Sequence, residues 1–143
     1  MEKIEKKEII LVVDDSPANL QLCNGLLSVE YNVRLAKSGE MALKVIAKLK
    51  PDIILLDIEM PGMSGFDVMK EISKDMELRK IPVVFVTSYA TGEYLSDAVN
   101  YGAANYVVKP FESDALRAKI RNALKKRKTG INDEISFPLY VNP

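Results

Sequence analysis

Residues 8–15 read EIILVVDD and residues 52–57 read DIILLD, two short runs of branched apolar residues that each end on aspartate. A continuous apolar run of this length, bounded by charge, is expected of a strand buried on both faces of a parallel sheet. The pattern recurs as PVVFV at residues 82–86 and NYVV at 105–108, and a weaker, alternating segment, NVRL, stands at 32–35. Together these runs predict five strands, over residues 8–13, 32–35, 52–56, 82–86 and 105–108.

The intervals carry helical spacing. Leu20, Cys23 and Leu27 follow Pro17; Ala42, Val45, Ile46 and Leu49 form a second stripe, and Phe66, Met69 and Ile72 a third. Leu95, Ala98 and Val99 would line a fourth helix and Leu116, Ile120 and Leu124 a fifth, with Ser113 or the acidic residues beside it at the N-terminus. Strict alternation of strand and helix argues for a parallel sheet with helices on both faces, because right-handed crossovers join each strand to a parallel neighbour. One domain is expected over residues 8–128. Residues 1–7 read as an N-terminal extension, and residues 129–143, which lose helical periodicity and carry two prolines, as a C-terminal tail or truncated linker.

The bulk composition excludes several classes. The 143 residues suffice for a core without disulfides or structural metal. Twenty basic and twenty acidic residues cancel, which removes the global electrostatic argument for nucleic acid or an anionic membrane. The run Lys125, Lys126, Arg127, Lys128 reads as a solvated, dipole-favoured helix C-terminus, so direct nucleic-acid contact is not expected. One cysteine and no apolar stretch long enough for a signal peptide or a membrane span point to the cytoplasm. The count of histidines is zero, so a serine-histidine-aspartate triad, a histidine metal site and a phosphohistidine on this chain are ruled out.

In open parallel sheets, ligands bind beyond the C-terminal ends of the strands, where the strand order reverses. Asp14 and Asp15 follow the first predicted strand, Asp57 the third, Thr87 the fourth, and Lys109 with Pro110 the fifth. Three converging carboxylates repel unless a lysine or a divalent cation compensates them, and magnesium is the hard cation that oxygen ligands suit. Phosphoryl transfer to a carboxylate depends on positioning and on spreading charge among cations and donors, roles open to Lys109 and Thr87. Taken singly, each residue has an ordinary reading. Asp14, Asp15 and Ser16 before Pro17 suit a helix start, and Asp57 suits the polar end of a strand before a Pro/Gly turn. Thr87 is a common strand residue, and Lys109-Pro110 a common turn. Their joint placement favours a site.

The segments LVVDDSP, LLDIEMPGMSGFDV, VVFVTSYA and GAANYVVKPF resemble the motifs of response-regulator receiver domains of two-component signalling, over about residues 8–127. The resemblance implies a flavodoxin-like five-stranded parallel sheet of order 2-1-3-4-5 with five helices on both faces. It implies Asp57 as the phosphoacceptor and magnesium held by Asp14, Asp15, Asp57 and the backbone carbonyl of Glu59. Lys109 and Thr87 would contact the phosphoryl group, with Tyr106 as an aromatic switch. Glu59 and Tyr89 occupy positions that tune dephosphorylation, and the bond before Pro110 is a cis candidate. Ser88 departs from the smaller residue usual after the hydroxyl position, which bears on access to Asp57.

The implied function is phosphorelay signal transduction. A partner sensor histidine kinase or histidine phosphotransfer protein supplies the phosphoryl group, and a downstream effector domain or protein reads the change in shape. A homodimer would use the face of the fourth helix, fifth strand and fifth helix. The domain would catalyse part of its own phosphorylation and dephosphorylation without being an enzyme in the usual sense. Three alternatives stay open on the residues. A flavin or nucleotide enzyme would want a glycine loop after the first strand, where two aspartates stand instead. A metal-dependent phosphatase or hydrolase using Asp57 would need a further acid-base group or a substrate cap. A degenerate receiver would only bind partners.

Overall fold

The computed structural model describes residues 6–89 and 91–129. Five strands, β1 (Ile9–Val13), β2 (Asn32–Ala36), β3 (Ile53–Asp57), β4 (Val83–Thr87) and β5 (Asn105–Val108), alternate with five helices. The helices are α1 (Pro17–Leu27), α2 (Gly39–Leu49), α3 (Gly65–Ser73), α4 (Gly92–Asn100) and α5 (Ser113–Thr129). All strand pairs are parallel, in the order β2-β1-β3-β4-β5. This is the expected sheet. The proposed tail beyond Thr129 and residues 1–5 of the extension lie outside the described residues, as do the side chains of Leu95, Val99 and Lys128.

Alternation along the strands splits the core in two. Leu11, Val13, Ile54, Leu56, Val83 and Phe85 face Ala42 and Ile46 of α2, Val68, Met69 and Ile72 of α3, and Ala98 of α4. Ile10, Val12, Ile53, Leu55, Val84 and Val86 face Leu20, Cys23 and Leu27 of α1 and Leu116, Ile120 and Leu124 of α5. The central strands β3 and β4 are buried along their whole length, which is why they read as unbroken apolar runs. β2 is an edge strand with only Ala36 fully buried, and its sequence alternates accordingly.

Two boundaries differ from expectation in a way that matters for the site. Asp57 and Thr87 are the last residues of β3 and β4, where the sequence placed them just beyond. The ladder continues past both: Asp57 stands opposite Val86, Ile58 N–H donates to the Val86 carbonyl at 2.9 Å, and Lys109 N–H donates to the Thr87 carbonyl at 2.8 Å. At the other end, Asp52 is not in β3. Its carboxylate accepts the Ile9 N–H at 2.7 Å and an Arg127 guanidinium N–H at 3.0 Å, tying α5 to the sheet's opposite edge. A short 3-10 turn at Leu78–Lys80 was not expected; it forms because the Asp75 carboxylate accepts the N–H groups of Glu77 and Leu78.

Serines start the first three helices. Ser16, Ser38 and Ser64 each accept an N–H from the third residue on, and Asp67 returns a bond to the Ser64 N–H to close a capping box. The carbonyl of Glu112 accepts the Leu116 N–H at 3.0 Å, so an acidic residue beside Ser113 occupies the cap position of α5.

Candidate functional site

The C-terminal edge of the sheet brings Asp14, Asp57, Thr87 and Lys109 together from β1, β3, β4 and β5. Asp14, Asp57 and Thr87 are the buried polar side chains among the described residues. The Lys109 ammonium sits between the two buried carboxylates, 3.2 Å from Asp14 Oδ2 and 3.4 Å from Asp57 Oδ2. Asp14 is held from behind: its Oδ1 accepts the Ser16 N–H at 2.9 Å, and its Oδ2 accepts an Asn19 side-chain N–H at 3.2 Å. The start of α1 thus both caps the helix and fixes a carboxylate. Asp15 is exposed, but one of its oxygens lies within 4.8 Å of oxygens from Asp14 and Asp57.

Asp57 is held in an environment that disfavours its charged form. Burial, then the nearby Asp14 carboxylate, raise its pKa to about 7 against the pull of Lys109, and Glu59 adds to the rise. Burial disfavours charge on Lys109, yet Asp57 and Asp14 outweigh it and hold the ammonium above its ordinary pKa. One cation is therefore shared by more negative charge than it can balance. Asp57 Oδ1 is buried and makes no hydrogen bond to any described group. An unpartnered buried carboxylate oxygen in a cluster of three oxygen donors fits a hard divalent cation such as magnesium.

The approach of α3 shapes this corner. A Cβ on Gly65 would lie 2.5 Å from the Asp57 carbonyl oxygen and 2.8 Å from Ile58 Cα, and the Gly65 N–H donates to the Ile58 carbonyl at 2.9 Å. Only a residue without a side chain lets the helix start this close to the end of β3.

The hydroxyl of Thr87 is engaged. It donates to Glu59 Oε2 at 2.5 Å and accepts the Tyr89 N–H at 3.0 Å, while the Ser88 N–H donates to Glu59 Oε1 at 3.1 Å. Tyr106 lies apart from the acidic cluster, half-buried on β5. The Lys119 ammonium stands 5.0 Å from its ring centroid and donates to its backbone carbonyl at 2.7 Å. The Lys109–Pro110 peptide bond is cis, and Pro110 itself is exposed.

Sequence reasoning names Glu59 as a backbone ligand and a tuner of dephosphorylation but misses the bond from Thr87 to its carboxylate, although an acidic residue two positions after a strand-end aspartate signals a group within reach of the same edge. It misses two further participants. Asn19 signals itself by its place in the first turn of α1, behind the Ser16 cap. Lys119 flanks the Leu116/Ile120 stripe, where a long cationic side chain lies along the sheet.

A family model described as the response regulator receiver domain matches residues 10–121. A probable cyclic di-GMP phosphodiesterase of Vibrio cholerae is 35% identical over 120 residues, covering 84% of this chain and 27% of that protein. Response regulator PleD of Caulobacter vibrioides is 40% identical over 114 residues, covering 79% of this chain and 25% of that protein. The chain thus spans about a quarter of the length of these two relatives. Among solved structures, a CheY-like response regulator receiver domain protein from Methanospirillum hungatei superposes with a TM-score of 0.81 at 30% identity, covering 87% of this chain and 99% of that one.

Proposed function

The chain belongs to the response regulator receiver domains of two-component signalling, and from that premise we propose that Asp57 accepts a phosphoryl group from a partner's phosphohistidine. The observation that carries this reading is the buried, unpartnered Asp57 Oδ1 beside a Lys109 ammonium already shared with Asp14. A carboxylate oxygen of Asp57 attacks phosphorus, the P–N bond to the partner imidazole breaks, and the imidazole leaves with the bonding pair. Water later cleaves the acyl phosphate and restores the carboxylate.

Each neighbour has a part in this chemistry. Lys109 lies where it can pair with a phosphoryl oxygen, and Thr87 offers a hydroxyl from the adjacent strand. Asp14, Asp15, Asp57 and the backbone carbonyl of Glu59 would hold magnesium. When bound, that ion supplies positive charge that keeps Asp57 ionised and neutralises the phosphoryl oxygens. Glu59 and Tyr89 would influence the rate of hydrolysis.

Output follows as a population shift: the phosphorylated carboxylate favours the arrangement that best orients Thr87 and Lys109, and Tyr106 on β5 carries the change to the face of α4, β5 and α5. That face would meet a downstream effector or a second copy of the chain. The receiver unit spans residues 8–128, and the partners are a sensor histidine kinase or a histidine phosphotransfer protein in the cytoplasm. No helix among the described residues is long and apolar enough to cross a membrane.

The test is intact-mass spectrometry after incubation with magnesium and a small acyl phosphate. One added phosphoryl group, absent in Asp57→Asn and without magnesium, is the expected result. Repeated failure of the wild-type chain to gain mass would sink the proposal.

A further inference from the structure

The two donors nearest the switch position, the Thr87 hydroxyl and the Ser88 N–H, both point at one carboxylate. Glu59 accepts the first through Oε2 and the second through Oε1, and it reaches across from the loop after β3 to the end of β4 to do so. A hydroxyl has a single proton to donate. Its oxygen also accepts the Tyr89 N–H, and the Tyr89 carbonyl, at 3.3 Å, is a longer alternative acceptor. While Thr87 donates to Glu59 it cannot donate to a phosphoryl oxygen on Asp57.

We propose that the Glu59 side chain is an internal stand-in for the phosphoryl group, occupying the Thr87 hydroxyl and the Ser88 N–H in the unphosphorylated state and having to be displaced before Thr87 can engage phosphoaspartate. This rests on the phosphoacceptor reading and adds a direction to it: Glu59 acts as a positioning residue that favours the resting state. Its two bonds are charge-assisted, the stronger class of hydrogen bond, so removal should shift the resting-to-engaged balance measurably. Asp14, Asp15 and Lys109, the other charges at this edge, make none of these contacts with Thr87 or Ser88, so the effect belongs to Glu59.

The test uses the full chain and beryllofluoride with magnesium as an equilibrium mimic of the phosphoryl group, followed by fluorine NMR. Glu59→Ala should bind the mimic about tenfold more tightly than wild type, as expected for loss of a competing charge-assisted bond, and Glu59→Gln, which keeps shape without charge, should fall between. The gain should largely vanish in a Thr87→Ala background, because the competed donor is gone. Independently of any mimic, Ser88 amide exchange should be faster in Glu59→Ala than in wild type. Unchanged Ser88 exchange, or equal or weaker binding by Glu59→Ala, overturns the proposal while leaving the phosphoacceptor reading intact. A wild-type chain that neither binds the mimic nor takes a phosphoryl group overturns both, a result recognisable by its independence of residue 59.

Discussion

At the scale of single residues, the site stores unfavourable charge. Asp57 titrates at about 7 in the folded chain against an ordinary value of 3.8, chiefly through burial. A carboxyl group whose pKa is raised on folding stabilises the fold fully below its unfolded pKa, and that contribution is lost as pH rises through the folded pKa. The metal-free wild type should therefore lose stability between about pH 4 and pH 7 that Asp57→Asn retains, with a gap at pH 8 on the order of a few kcal/mol. Urea unfolding of both proteins in the presence of a chelator, at pH 5 and at pH 8, reads this directly; a gap that does not widen with pH would contradict it. The residues of this cluster were legible in the sequence because strand ends are easy to locate and because Asp14, Asp15, Asp57 and Lys109 stand at three of them. What the sequence could not show was pairing within the cluster. That Lys109 bridges Asp14 and Asp57, and that Glu59 holds Thr87, depends on side-chain reach across strands separated by tens of residues.

At the scale of elements, apolar runs and helical stripes located all five strands and all five helices, whereas the order of the strands came from the family resemblance and not from the pattern. Strand ends shifted by a residue because hydrogen bonding, which periodicity does not report, carries β3 through Asp57 and β4 through Thr87. The turn at Leu78–Lys80 escaped because it rests on one Asp75 carboxylate and buries no stripe. Glycines show the same gap between pattern and packing. Gly65 and Gly25 both lie in helices, yet a Cβ at Gly65 would strike the backbone of β3's end while one at Gly25 would meet nothing within 4 Å. Gly65→Ala should destabilise by roughly 1–3 kcal/mol, the usual cost of forcing atoms into a packed contact, and should push α3 away from Asp57, lowering the phosphorylation rate as well. Gly25→Ala should stabilise by about 0.5–1 kcal/mol through helix propensity alone. Opposite shifts of the urea midpoint are the expected readout, and a stabilising Gly65→Ala would show that the corner is slack.

For the whole molecule, the sheet order explains why the charges can be tolerated at all. β1 has β2 on one side and β3 has β4 on the other, so the connections leaving β1 and leaving β3 run in opposite directions and part company at the edge where Asp14, Asp15 and Asp57 gather. Two apolar cores, one on each face, hold that edge rigid from both sides. The preorganised cluster exists only in the folded chain, so a cation that binds it must stabilise the fold by mass action, by about 2.7 kcal/mol at a hundredfold excess over its dissociation constant. Magnesium should accordingly raise the thermal midpoint at pH 8, with the rise continuing logarithmically beyond saturation. The gain should shrink at pH 5, where Asp57, titrating at about 7, is protonated and has a proton to surrender before it can act as a ligand. It should shrink again in Asp57→Asn, which lacks the central carboxylate, and persist in Gly25→Ala, which changes stability at a distance from the cluster. A midpoint that rises equally in wild type and Asp57→Asn would mean that the ion stabilises through the general surface and not through the three carboxylates.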